Sequence, residues 1–118
     1  YVNSFGDGTL RVYDVSNPFE GKLVEQVKLG EMANMVSSSW DGKRLYATNS
    51  LLAKWDKPGD YWLKAFAWEG GKLVPAFTTD FNAVGRAHIM NFGSKAFGPR
   101  AAQGATANPR VSAYAAPR

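Results

Sequence analysis

The chain has 118 residues, of which 45% are apolar and 14% aromatic, and this is enough to fill the core of one small domain. It contains no cysteine, which excludes disulfides, zinc–thiolate sites and cysteine nucleophiles within the chain. No apolar run approaches the ~18 residues that a membrane-spanning helix needs, so we expect no membrane span.

The net charge of +4 is unevenly distributed along the chain. Residues 1–93 carry ten basic and ten acidic side chains, so the excess lies entirely at Lys95, Arg100, Arg110 and Arg118. Residues 98–118 consist mostly of Ala, Gly, Pro, Asn and Arg and follow neither a helical nor a strand period, which predicts a flexible tail. Scattered cations form neither a basic face nor a stacking platform, so we do not expect nucleic acid as a partner.

The remaining sequence predicts only β-strands, because apolar and polar residues alternate and no helical period is sustained. The predicted strands cover residues 1–5, 9–15, 23–29, 32–38, 44–50, 61–68, 72–79 and 87–92. Asp41-Gly42 predicts a two-residue hairpin turn, and Glu69-Gly70-Gly71 predicts another turn. Pro75 indicates that its strand lies at a sheet edge, because proline cannot donate to a neighbouring strand. Asp7 and Asp14 are predicted to be turn residues, as is Asp41.

Two parts of the chain repeat each other at an offset of about 50 residues. The pairs are LRVY at residues 10–13 with LKAF at 63–66, and GKLV at residues 21–24 with GKLV at 71–74. A repeat of this length, built from short antiparallel strands, is typical of a β-propeller blade. We therefore predict an all-β fold: a β-propeller segment of about two blades, with three strands in residues 1–30, four in residues 31–80 and one further strand. Because propellers close with roughly four to eight blades, missing sequence or other chains would supply the rest.

His88 is the only histidine of the chain and the first candidate functional residue. It would begin a strand that lines the central channel of a propeller, where an imidazole can bind a transition metal. The alternative is a structural histidine, because the sequence offers no further ligands in a recognisable spacing.

Trp55, Asp56 and Lys57 form the second candidate, in a long loop that follows the predicted strand 44–50. Asp56 could orient a ligand or accept a proton, and Trp55 could wall a small apolar cavity. The alternative is that Trp55 packs the loop onto its blade while Asp56 and Lys57 pair with each other.

Several segments resemble the selenium-binding protein family, whose bacterial and animal members include methanethiol oxidases. They are SWDGKRLYATNSL at residues 39–51 with AKWDK at 53–57, YVNS and GDGTLRVYDVSNP within residues 1–18, and Asp80-Phe81 with Arg86-Ala87-His88. The resemblance covers residues 1–97 and is greatest to the bacterial branch. It implies that residues 1–97 are carboxy-terminal blades of a propeller of about seven blades, with the tail at residues 98–118 outside the family pattern.

The resemblance also implies a copper-dependent oxidation of methanethiol by oxygen and water to formaldehyde, hydrogen sulfide and hydrogen peroxide. His88 would be a metal ligand, and Trp55, Asp56 and Lys57 would be catalytic residues at the site mouth. The partners would be a small thiol, oxygen and the remaining blades, which would carry the other ligands, so the chain alone would be inactive.

The export of bacterial relatives implies a periplasmic location, with the cytoplasm as the alternative, and the protein could form a homo-oligomer. The alternative function is a non-catalytic propeller of the selenium-binding type that serves as a binding or scaffold protein. In that case His88 would be structural and the basic tail would contact a partner.

Overall fold

The computed structural model describes residues 1–50 and 54–92, which form seven strands and no helix. The strands are β1 (Val2–Ser4), β2 (Thr9–Asp14), β3 (Lys22–Lys28), β4 (Val36–Ser38), β5 (Arg44–Thr48), β6 (Trp62–Glu69) and β7 (Lys72–Asp80). All neighbouring strands are antiparallel, in a three-stranded sheet of order β1-β2-β3 and a four-stranded sheet of order β4-β5-β6-β7. The predicted all-β class is confirmed, and three plus four strands agree with the predicted repeat. Closure into a propeller stays a prediction.

The two sheets share one hydrophobic core. Leu10 and Val12 are buried along β2, and Leu45 and Ala47 are buried along β5. Their spacing of two residues places each pair on one face of its sheet, so the core lies between the sheets. The other buried members of this core are Leu29, Ala33, Trp62, Phe66 and Leu73. Burying a side chain the size of leucine contributes ~1.5–3 kcal/mol relative to leaving it exposed.

The predicted turns differ in how closely the structure follows them. A turn is found where it was predicted, between β6 and β7: Gly70 and Gly71 have positive φ, +57° and +78°, and form a two-residue turn because Glu69 pairs with Lys72. The hairpin at Asp41-Gly42 is confirmed, but its predicted length is wrong. The Ser39 N–H donates to the Arg44 carbonyl at 2.9 Å, so the loop between them contains four residues, 40–43. The Asp41 carboxylate accepts a hydrogen bond from the Lys43 N–H at 3.0 Å. Within this loop only Gly42 has a positive φ.

The strand predicted at residues 87–92 is wrong. The chain turns after β7, where the N–H groups of Val84 and Gly85 both donate to the Phe81 carbonyl, at 3.0 and 2.8 Å. It then runs without regular structure across the face of the second sheet that is remote from the first, where the rings of Phe92 and Tyr46 lie 5.2 Å apart. A strand requires the backbone of a neighbour, and packing against side chains does not supply one.

Other strands also have bounds that differ from the predicted ones. The strand predicted at residues 32–38 is shorter, because Met32 has a φ of 60° and pairing begins only at Val36. Pro75 does lie in the edge strand β7, as predicted. No helix among the described residues is long and apolar enough to cross a membrane. The predicted tail at residues 98–118 lies outside the described residues, as do residues 51–53 of the predicted loop.

Candidate functional site: a buried carboxylate beside the histidine segment

Three consecutive polar residues are buried where β5 ends. Thr48, Asn49 and Ser50 are 2%, 3% and 1% exposed. Buried polar groups require hydrogen-bond partners, and here the partners come from other segments. The Asn49 side chain accepts from the Trp62 N–H at 2.9 Å and donates to the Asp60 carbonyl. The end of β5 therefore fixes both the far end of the following loop and the beginning of β6.

Asp56 points from this loop into the protein, with only 1% of its side chain exposed. Its Oδ2 accepts a hydrogen bond from Ser50 Oγ at 2.8 Å and lies 2.8 Å from Arg86 Nε. A carboxylate buried this deeply requires both a counter-charge and hydrogen-bond donors, because removing it from water is otherwise costly. Asp56 thus connects the loop to the end of β5 and to the segment that follows β7.

The two neighbours of Asp56 lie at the surface instead. Trp55 is 50% exposed. Lys57 Nζ lies 2.9 Å from Glu31 Oε2, and this hydrogen bond raises the pKa of Lys57 and lowers that of Glu31. The three residues predicted as one site therefore divide into an inward carboxylate and two exposed side chains. Each member of the Asp56-Lys57 pair has a partner from a distant segment, Arg86 and Glu31 respectively.

The side chain of His88 is exposed, while its backbone is held. Its carbonyl accepts a hydrogen bond from Thr48 Oγ1, and the preceding Ala87 is 8% exposed. Among residues 1–50 and 54–92, no group of three or more His, Cys, Asp or Glu side chains could hold a metal ion. His88 therefore presents an exposed side chain on a backbone that is held by the end of β5.

Asp56 and His88 are connected through Arg86, which stands two residues before the histidine. Sequence reasoning did not assign Arg86, Ser50 or Thr48 to the site. The only available signal was the position of Arg86 beside a candidate histidine, and no periodicity relates it to a carboxylate thirty residues earlier.

A surface groove of about 420 Å³ lies at the opposite end of the second sheet. It is lined by Ser37, Ser38, Ser39, Trp40, Gly42, Met90, Asn91 and Phe92. None of the four predicted site residues lines it, although Met90, Asn91 and Phe92 belong to the segment that follows His88.

Comparison with known proteins identifies relatives of this segment. The chain is 55% identical over 100 residues to a methanethiol oxidase of Hyphomicrobium sp, and 48% identical over 101 residues to one of Ruegeria pomeroyi. These matches cover 80% and 81% of this chain but only 23% of each relative. No protein-family model matches.

A solved structure of the same family has a similar fold. The crystal structure of a hypothetical selenium-binding protein from Sulfolobus tokodaii superposes with a TM-score of 0.59 and 33% identity, covering 65% of this chain and 22% of that one. The fold is thus an all-β piece of the selenium-binding protein type. The chain belongs to the family of selenium-binding proteins and methanethiol oxidases. This confirms the resemblance found in the sequence. It spans about a quarter of the length of the curated relatives it matches.

Proposed function

We propose that the chain is part of a copper-dependent methanethiol oxidase, which converts methanethiol, oxygen and water to formaldehyde, hydrogen sulfide and hydrogen peroxide. The observation that supports this proposal is the identity of 55% and 48% to two bacterial proteins that are both named methanethiol oxidase. A periplasmic location and a homo-oligomeric state remain predictions from the family resemblance.

In this proposal His88 supplies one imidazole ligand, and the other ligands come from outside the described residues. Copper, when bound, would provide a soft acceptor for thiolate sulfur and a route for electrons to oxygen. The exposed side chain of His88 and the hydrogen bond from Thr48 to its carbonyl are compatible with this role.

The loop beside Asp56 would form the mouth of the site. Trp55 offers a half-exposed indole face, which suits the methyl group of a small thiol. The Lys57 ammonium pairs with Glu31 Oε2 at 2.9 Å, and this ion pair would hold the loop in place at the mouth of the site. Asp56 would hold this loop from its buried side and would not lie at its surface.

The test is the copper content of the intact protein with and without the substitution His88→Ala. We expect stoichiometric copper in the unaltered protein, and loss of both copper and thiol-dependent oxygen uptake in the variant. Ile89→Ala is the matched control, because it shortens an exposed side chain on the next residue. Unchanged copper in a folded His88→Ala variant would contradict the ligand assignment. A complete absence of metal from the unaltered protein would favour a binding or scaffold role.

A further inference from the structure

We propose that Arg86 is a positioning residue, which fixes the main chain carrying His88 by pairing with the buried carboxylate of Asp56. This inference rests on the proposed function in one respect, the assignment of His88 as a metal ligand. Its structural basis is independent of that assignment, because it depends only on how residues 86–88 are held.

Three consecutive residues are fixed by three different interactions. Arg86 Nε lies 2.8 Å from Asp56 Oδ2, Ala87 is buried, and the carbonyl of His88 accepts a hydrogen bond from Thr48 Oγ1. Thr48 itself is 2% exposed, so the hydroxyl that donates is held by the sheet. With the two preceding residues and its own carbonyl held, the imidazole projects from a backbone of defined position.

The turn before this segment is also fixed to the sheet. The Tyr61 N–H donates to Asn82 Oδ1 at 2.9 Å, and the Phe81 N–H donates to the Tyr61 carbonyl at 2.8 Å. Gly85, with a φ of +112°, closes the turn by donating to the Phe81 carbonyl. Residues 81 and 82 are therefore bonded to Tyr61, which directly precedes β6, residues 84 and 85 are bonded to Phe81 within the turn, and residues 86 and 88 are held by Asp56 and Thr48.

The different burial of the two charges explains why an ion pair is suited to this task. The Asp56 side chain is 1% exposed, whereas the Arg86 side chain is 49% exposed. The guanidinium can keep part of its hydration, so the pair does not require the desolvation of two charges. Removing Arg86 would take this counter-charge away from a buried carboxylate and so destabilise the loop that carries it.

A fixed backbone benefits a metal ligand because little conformational freedom is left to lose when the imidazole binds. Residues that orient metal ligands without contacting the metal commonly change its affinity ~10–100-fold when they are replaced. The structure thus predicts that Arg86 and Asp56 influence the metal through the position of His88 rather than by direct contact.

The test uses the intact protein and two measurements. The first is the affinity for Cu(I), by competition with a chromogenic chelator, and the second is amide hydrogen exchange of residues 81–92 in the metal-free protein. We expect Arg86→Met to weaken Cu(I) binding ~10-fold and to accelerate exchange in this segment. Arg86→Lys should retain part of the Cu(I) affinity and part of the protection from exchange, because lysine keeps the positive charge but not the planar guanidinium.

Arg11→Met is the matched control, because Arg11 pairs with Asp7 in the first sheet and lies outside this segment. It should leave Cu(I) affinity and exchange of residues 81–92 unchanged. Faster exchange with unchanged Cu(I) affinity in Arg86→Met would overturn the positioning role, as would no change in either quantity. If Arg86→Met fails to fold, Arg86→Lys decides between these outcomes. Unchanged copper in His88→Ala would instead overturn the ligand assignment, and the exchange data would then still show whether Arg86 holds the segment.

Discussion

Single carboxylates of this chain have two distinct roles. Asp7, Asp14 and Asp41 are turn residues, as predicted, and each accepts a bond from the backbone N–H two residues later. Hydrogen bonds from the hydroxyls of Thr9, Ser16 and Ser39 are the main reason that the pKa of each of the three carboxyls is lowered, and the backbone bonds add to it. Asp56 differs because it lies in the interior and joins distant segments.

Asp7 gives a prediction about pH. The hydrogen bond from the Thr9 hydroxyl, followed by that from Arg11, lowers the pKa of Asp7 from 3.8 to about 2. A folded-state pKa below the unfolded value means that the charged carboxylate stabilises the fold above about pH 4, and that this contribution is lost as the pH falls towards about 2. We expect Asp7→Asn to make the free energy of unfolding less dependent on pH across this window, as measured by urea titration. Equal pH dependence in variant and unaltered protein would contradict the assignment.

Local chemistry determined which residues could be interpreted correctly from the sequence. A turn aspartate has its backbone partner two positions away, so its role is visible in the sequence. The partners of Asp56 and Lys57 come from residues 86 and 31, and only the fold brings them together. The hypothesis that Asp56 and Lys57 pair with each other was the natural local choice, and the tertiary structure gave each a distant partner.

Turns and strand ends are set by the available space as well as by φ. Gly8 and Gly42 have nearly equal positive φ, +61° and +68°. A Cβ on Gly8 would lie 2.0 Å from the carbonyl oxygen of Gly30, whereas a Cβ on Gly42 would meet nothing within 4 Å. The Gly8 carbonyl also accepts hydrogen bonds from the N–H groups of Leu29 and Gly30, at 2.8 and 3.2 Å. These bonds require the segments around residues 8 and 30 to stay close.

This pair permits a controlled comparison of alanine substitutions. Gly42→Ala should cost only the left-handed backbone conformation, ~1–2 kcal/mol of unfolding free energy. Gly8→Ala should cost a further ~1–3 kcal/mol, because the backbone of Gly30 must be displaced. Urea denaturation of the two variants measures the difference. Equal destabilisation would show that the contact between residues 8 and 30 is not as close as described.

The same distinction explains which elements were predicted correctly. The hairpin of β6 and β7 follows from alternation and from two glycines, both local signals. The strand expected at residues 87–92 has a suitable pattern too, but pattern alone does not specify a pairing partner. In the structure this segment is held by Arg86, Ala87 and the carbonyl of His88, none of which is a strand-pairing interaction.

For the whole molecule, the shared core predicts that the sheets depend on each other. Leu45 is 1% exposed in that core. Leu45→Ala should lower the free energy of unfolding by ~2–5 kcal/mol through lost burial and the cavity left behind. Leu23→Ala is the matched control at a site that is 48% exposed, and it should change stability by under ~1 kcal/mol. Similar losses for the two variants, measured by thermal or urea unfolding, would contradict a single core between the sheets.

At this scale the sequence repeat predicted the arrangement of three and four strands, because each copy carries its own turns and alternation. Closure of a propeller and a complete metal site could not be derived in the same way. The chain spans 23% of the length of its relatives, and its own alternation and turns specify no contacts outside these residues. The structure adds that His88 lies in the segment after β7, with its carbonyl bonded to Thr48 at the end of β5.

The distribution of tryptophans has a consequence for spectroscopy. Trp62 is 7% exposed and belongs to the core, and Trp68 packs against it, whereas Trp40 and Trp55 are 68% and 50% exposed. Intrinsic fluorescence therefore combines two indoles at the joint between the sheets with two that already contact water. A quencher dissolved in the buffer would suppress the second pair first, and the remaining emission would report on whether the two sheets are together or apart.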